Sequence, residues 1–159
     1  MWDNRGTFGS MERGWIMGQA RDVMDRLTAA AGTAKKDIEA IGNCFAEDAI
    51  AHTPDHGEIK GRTEIVRWWA QMMEAVPDGR YESVHSYEVG DTAIDEGYLS
   101  GTNSGFITMP TGEKLPPTNK RVRLRGCDLA TVENGYIVDY RIYFDQMEFL
   151  EQLGLAQQS

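Results

Sequence analysis

Cysteine is scarce in this sequence: Cys44 and Cys127 are the only two in 159 residues. Two thiols cannot build the dense disulfide framework of a small secreted scaffold, so buried free thiols are expected. Positive charge is also short, with 16 Lys and Arg against 25 Asp and Glu and a net charge of −9. Such a balance argues against binding to nucleic acid or to an anionic membrane. No apolar run approaches the roughly 20 residues that cross a bilayer. A signal-peptide core is missing from the N-terminal region, where Arg21, Asp22, Asp25 and Arg26 interrupt it, and a cytoplasmic location is expected. Gly97, Gly101, Gly105 and Gly126 lack the strand–turn–helix context of a phosphate loop. With no G-x-S-x-G and no Cys/His nucleophile pair, covalent catalysis has no support.

What is present reads as one α+β domain. Residues 1–14 show no periodicity and read as a flexible tail, residues 15–155 as the domain, and 156–159 as a C-terminal tail. From Trp15 the pattern is helical, with Ile16, Ala20, Val23, Met24 and Leu27 on one face. Thr33 is expected to cap a second helix with Ile38, Ile41, Cys44 and Phe45 as its stripe, ended by the acidic turn Ala46-Glu47-Asp48. A short strand is expected over Ala49 to His52, closed by Pro54, and a loop from Asp55 to Gly61. A third helix from about Thr63 has Ile65, Trp68, Trp69, Met72 and Met73 as its apolar face. The period then changes to two. Tyr81 to Val89 is a strand, Gly90-Asp91 a turn, and Thr92 to about Met109 a second strand or a broken pair. Leu115 to Thr118 reads as a loop. Lys120 to Glu133, the turn Asn134-Gly135 and Tyr136 to Phe144 make a long hairpin, and Met147 to Leu153 a terminal helix. Helices first and long strands after imply helices packed on one face of a curved sheet.

The Lys120–Glu133 strand points to a site. Its even positions, Val122, Leu124, Gly126, Asp128, Ala130 and Val132, share one face, and Arg121, Arg123 and Arg125 share the other. Asp128 therefore sits among residues meant for the core, where a carboxyl needs a hydrogen bond or a raised pKa. Perturbed carboxyls of that kind mark functional sites. Tyr136, Val138, Tyr140, Ile142 and Phe144 share a parity on the returning strand and could line the same cavity, with the Tyr140 hydroxyl needing a partner if buried. His52, Asp55 and His56 form H-x-x-D-H, but Pro54 rules out the helical geometry usual for a zinc pair, and no metal is expected. His52 is instead placed at a pocket mouth as a second polar group, and His85 on the sheet surface.

Three stretches carry a resemblance: CFAEDAIAHTPDHGEIKGRTEIVRWW, VGDTAIDEGYLSGTNSG and LPPTNKRVRLRGCDLATVENGYIVDYRIYFDQMEFLEQLGL. Together with the element order they resemble the SnoaL-like polyketide cyclases of the NTF2-like superfamily, over roughly residues 17–155. The resemblance implies an NTF2-like cone: three N-terminal helices on a curved antiparallel (mixed) sheet enclosing an apolar pocket. It implies that Asp128, the aspartate of the R-G-x-D strand, is the general acid/base of an intramolecular aldol closure. No cofactor and no metal are implied. The substrate would be a small hydrophobic carbonyl compound, and the assembly a homodimer or homotetramer. Tyr140, Ile142, Trp68, Trp69, Phe106, Leu124 and Phe144 are the expected substrate-binding residues.

Family members carry G-T-H-x-G where this chain has Gly101-Thr102-Asn103-Ser104-Gly105. Asn103 thus stands in for a pocket histidine; it can hold an enolate oxygen but cannot shuttle a proton, a role that would pass to His52. The Y-F-D-Q ending also resembles limonene-type epoxide hydrolases. Their Asp-Arg-Asp set is absent, since the first region reads Asp95-Glu96-Gly97-Tyr98-Leu99 and the second position is Ile142. A steroid-isomerase-like pairing of Asp128 with Tyr140 remains compatible. Two non-enzymatic readings stand beside these: a binder of small hydrophobic ligands and a dimerisation module on the same cone.

Overall fold

A computed structural model describes residues 19–32 and 36–156. The expected tail at 1–14, residues 157–159 of the tail expected at 156–159, the helical positions Trp15 and Ile16 and the Thr33 cap lie outside the described residues. Helix α1 (Gln19–Gly32) buries Ala20, Val23, Met24 and Leu27, the face that the 3.6-residue spacing predicts. Helix α2 (Ile38–Gly42) is a short turn capped by Asp37, whose side chain accepts from the Ala40 amide.

The second expected helix is therefore cut short. Asn43 turns the chain, and Phe45 opens strand β1 (Phe45–Thr53) rather than closing a helical stripe. The cause is long-range pairing: β1 runs parallel to β8 (Tyr136–Phe144), with Phe45 opposite Ile137 and the Ile137 amide donating to the Cys44 carbonyl. A register shift between Phe45 and Ile50 leaves Glu47 and Asp48 exposed. The expected loop at Asp55–Gly61 is in part strand β2 (Gly57–Lys60), an antiparallel hairpin partner of β1. Helix α3 (Arg62–Ala75) follows and buries Ile65, Trp68 and Trp69.

Strands β3 (Arg80–Val89) and β4 (Thr92–Thr102) form an antiparallel pair. The expected continuation to Met109 breaks into a separate ribbon of β5 (Ile107–Thr108) and β6 (Lys114–Leu115), so Leu115 is strand rather than loop. Strand β7 (Arg121–Glu133) pairs with both β4 and β8. Asn134 and Gly135 have φ of 51° and 84°, as a two-residue hairpin turn requires. Helix α4 (Gln146–Gln152) ends the fold, capped by Asp145.

The main sheet has the order β2-β1-β8-β7-β4-β3 and is mixed, because the β1–β8 pair is parallel. Its core, which includes Leu27, Ile41, Phe45, Ile65, Trp68 and Tyr140, lies between the sheet and α1, α2 and α3. Both cysteines are free, Cys44 buried and Cys127 half-buried. On the outer face of β7, Arg125 pairs with Glu96, and the Arg123 guanidinium stacks 3.6 Å from the Tyr98 ring centroid. Among the described residues no helix is long and apolar enough to cross a membrane.

Candidate functional site

Between the sheet and the helices lies a cavity of about 170 Å³. Alternation along β7 sends Val122, Leu124 and Asp128 to this inner face, as the period of two requires. Asp128 faces Asp95 of β4 on one side and Ile142 of β8 on the other. Its Oδ2 accepts a 2.6 Å hydrogen bond from the Tyr140 hydroxyl, while Oδ1 has no partner among the described residues. Tyr140 is fully buried, edge-on to Phe45 with centroids 5.7 Å apart and 6.1 Å from Trp69.

Burial pushes the Asp128 carboxyl up to about 7; the Tyr140 hydrogen bond opposes that rise and the neighbouring Asp95 charge adds to it. The same burial, with the Asp128 charge beside it, holds the Tyr140 phenol protonated far above its usual range. Asp128 and Tyr140 thus form a carboxyl poised near neutrality with a fixed donor behind it.

The expected site residues divide. Trp68, Trp69, Leu124, Ile142 and Phe144 line the cavity with Asp128, and Tyr140 supports it from beneath. His52 does not join them. On β1 it alternates with the buried Ala51 and Thr53 and so points to the other face, with Nε2 3.8 Å from Asp139 Oδ2. Asn103 also stays out of the cavity. Its Nδ2 donates to the carbonyls of Ala75 and Gly105, and its Oδ1 accepts from the amide and hydroxyl of Thr118. With all four hydrogen bonds made, it is a clamp between α3 and the segment after β4 and has nothing left for a substrate. Phe106 is 46% exposed and lies beneath Lys114 Nζ, outside the cavity. On β8 the expected parity breaks at Val138, where the register shifts. Ile137 and Tyr140 therefore both face inward, and Tyr136 is exposed.

Other residues that the sequence reading did not place at the pocket enter the site. Tyr81 lines the cavity, its ring lying over Gly97, where a Cβ would come within 2.6 Å of Tyr81 Cζ. An aromatic diagonal to a glycine on the paired strand is a signal that was available. Asp55 and His56 line the cavity as well: Asp55 Oδ2 lies 2.9 Å from His56 Nδ1 and accepts from Trp68 Nε1 at 3.2 Å. The H-x-x-D-H segment therefore turns its second histidine, not its first, toward the cavity. Beside Asp128, Asp95 is held by both terminal nitrogens of Arg21 from α1, at 2.7 and 2.8 Å. Among the described residues no group of three or more His, Cys, Asp or Glu side chains is arranged to hold a metal ion.

A family model for the SnoaL-like domain matches residues 24–140. No curated protein matches the sequence. A SnoaL-like polyketide cyclase, so described, from Jannaschia sp. CCS1 superposes with a TM-score of 0.77 at 15% identity, covering 89% of this chain and 96% of the other. IdmH from Streptomyces antibioticus, described as a polyketide cyclase, gives 0.69 at 24% identity, with 86% and 99% covered. AclR from Streptomyces galilaeus, described as a hydroxylase, gives 0.73 at 18%, with 89% and 99% covered. At these identities the neighbours establish the cone fold; the different chemistries in their descriptions show that the fold leaves the reaction to the site.

Proposed function

The chain belongs to the SnoaL-like domain family, and from that premise we propose that it is a cofactor-independent cyclase or isomerase-like enzyme in which Asp128 is the general acid/base. The observation that carries this reading is a carboxyl in an apolar cavity with a pKa of about 7, one oxygen anchored by Tyr140 and the other without a partner among the described residues. A carbon between two carbonyls is acidic enough for such a base. The Asp128 carboxylate takes that proton, leaving an enolate. The enolate carbon then attacks a second carbonyl of the same molecule, forming the new C–C bond. The resulting alkoxide takes the proton back from Asp128, so the carboxylate is regenerated. Both protonation states are populated near neutrality, which suits a group that first accepts and then donates. The substrate on this reading is a small hydrophobic carbonyl compound, held folded by the Trp68, Trp69 and Leu124 walls. Homodimer or homotetramer assembly belongs to the same reading, supported by Tyr87, Val89 and Tyr143, which stay exposed.

The first half of the mechanism can be tested without the natural substrate. Exchange of the benzylic α-proton of 2-tetralone in D2O, followed by NMR, is expected to be accelerated by the protein. Asp128→Asn is expected to lower the catalysed rate by about 10²–10⁴-fold. Exchange that the variant sustains at the wild-type rate refutes the assignment. Binding of the ketone with no exchange in the wild type points to the ligand-binder reading.

A further inference from the structure

Among the described residues four buried side-chain polar atoms have no hydrogen-bond partner: Asp55 Oδ1, Trp69 Nε1, Tyr81 Oη and Thr108 Oγ1. All four residues line the same cavity as Asp128. Buried polar groups are nearly always paired, so orphans that gather around one space point to something in that space that completes them. Their chemistry is specific. Trp69 Nε1 can only donate, an ionised Asp55 Oδ1 can only accept, and the two hydroxyls can do either. Asp55 is not free to turn away, because its Oδ2 is already engaged by His56 and Trp68.

Tyr81 is held just as firmly. Its ring occupies the space above Gly97, where a Cβ would sit 2.7 Å from the hydroxyl oxygen, so β4 must carry glycine for the ring to lie there. Burial and the nearby Asp128 charge keep its phenol protonated, hence a donor. The cavity volume is about 170 Å³. A dry cavity of about 150 Å³ accepts benzene, so one ring is what this space encloses.

We propose that Asp55, Trp69, Tyr81 and Thr108 form a recognition set that selects a one-ring ligand carrying a carbonyl and a hydroxyl on separate edges, with Tyr81 donating to the carbonyl oxygen beside Asp128. The inference rests on the acid/base reading only in placing the carbonyl next to that carboxyl. It adds which residues choose the substrate and how large a portion of it is enclosed.

The test compares two probes of similar size on the full chain by NMR titration: 4′-hydroxyacetophenone and 4-ethylphenol, which lacks the carbonyl. Tyr81→Phe and Thr108→Val each remove one hydroxyl with little change in shape. Tyr81→Phe is expected to weaken 4′-hydroxyacetophenone about threefold to tenfold and to leave 4-ethylphenol within about twofold. Thr108→Val is expected to weaken at least one probe by a similar factor. Neither variant is expected to lower the Tm of the ligand-free protein, because neither hydroxyl is bonded among the described residues. Wild-type Kd values for both probes in both variants overturn the proposal, as does a lowered Tm or no binding of the hydroxyketone at 10 mM (roughly the −2.7 kcal/mol level). Those results leave the 2-tetralone exchange and its dependence on Asp128 untouched. Conversely, exchange that survives Asp128→Asn removes the acid/base reading while the probe selectivity stands.

Discussion

A raised carboxyl pKa is a statement about stability as well as reactivity. Asp128 titrates at about 7 in the folded chain against about 3.9 in an unfolded one. Between those values the folded state holds the extra proton, so the contribution of this group to stability is greatest below pH 4 and falls as the pH rises toward 7. The fall attributable to this group is about 4 kcal/mol at most. Asp128→Asn keeps an acceptor for Tyr140 and has no charge to bury. Urea denaturation is expected to show the variant gaining on the wild type as pH rises from 4.5 to 8. A difference independent of pH in that range would mean an ordinary carboxyl. Asp128 was legible because strand alternation needs no knowledge of what packs on either face. Asn103 was not, because two of its partners, Ala75 and Thr118, are brought to it by α3 and by the chain beyond β6.

Elements aim the side chains. The register shift at Val138 lets Ile137 enter the core while Tyr140 keeps its place diagonal to Asp128. Without the extra residue, one of the two would face outward. The segment between β4 and β7 hangs on Asn103, which also receives the Asn119 amide at its carbonyl and donates its own amide to Lys120. Asn103→Ala strips two donors and an acceptor with two partners from a fully buried position. The expected loss is on the order of 3 kcal/mol, from about 1–3 for each buried group left unpaired. The Asp128 titration measured by NMR is expected to stay where it is. If Asn103 were instead a substrate contact, stability would hold and ligand affinity would fall.

At the scale of the molecule, α1 is tied across the sheet by one buried ion pair. Arg21 grips both oxygens of Asp95, and its backbone amide donates to Glu88 of the edge strand β3. Asp95 has almost no exposure, so removing its partner leaves a charge with nowhere to go. Arg21→Met is expected to cost about 3–5 kcal/mol in urea denaturation. Adding Asp95→Asn is expected to recover a good part of that by removing the stranded charge. A double variant no more stable than Arg21→Met alone would show that the pair does not hold α1 in place. Because α1 also supplies Leu27 and Ala31 to the cavity wall, this tie and the shape of the site are linked.

Local pattern determined the helix faces of α1 and α3, the long β7–β8 hairpin with its Asn134-Gly135 turn, and the placement of Asp128 among apolar residues. Each follows from a period of 3.6 or 2, or from a turn's need for positive φ, and these are properties of neighbours in the chain. Tertiary structure decided what periodicity cannot carry. The parallel pairing with β8 turned Phe45 from helix to strand, a register shift chose which face of β8 looks inward, and the course of β1 sent His52 out while His56 came in. The apparent Asp95-Glu96-Gly97 stretch became a buried carboxylate gripped by a helix 74 residues away in sequence, beside a glycine that makes room for Tyr81. Hydrogen-bond satisfaction and burial are sums over groups distant in the chain, and only the folded chain brings those groups together.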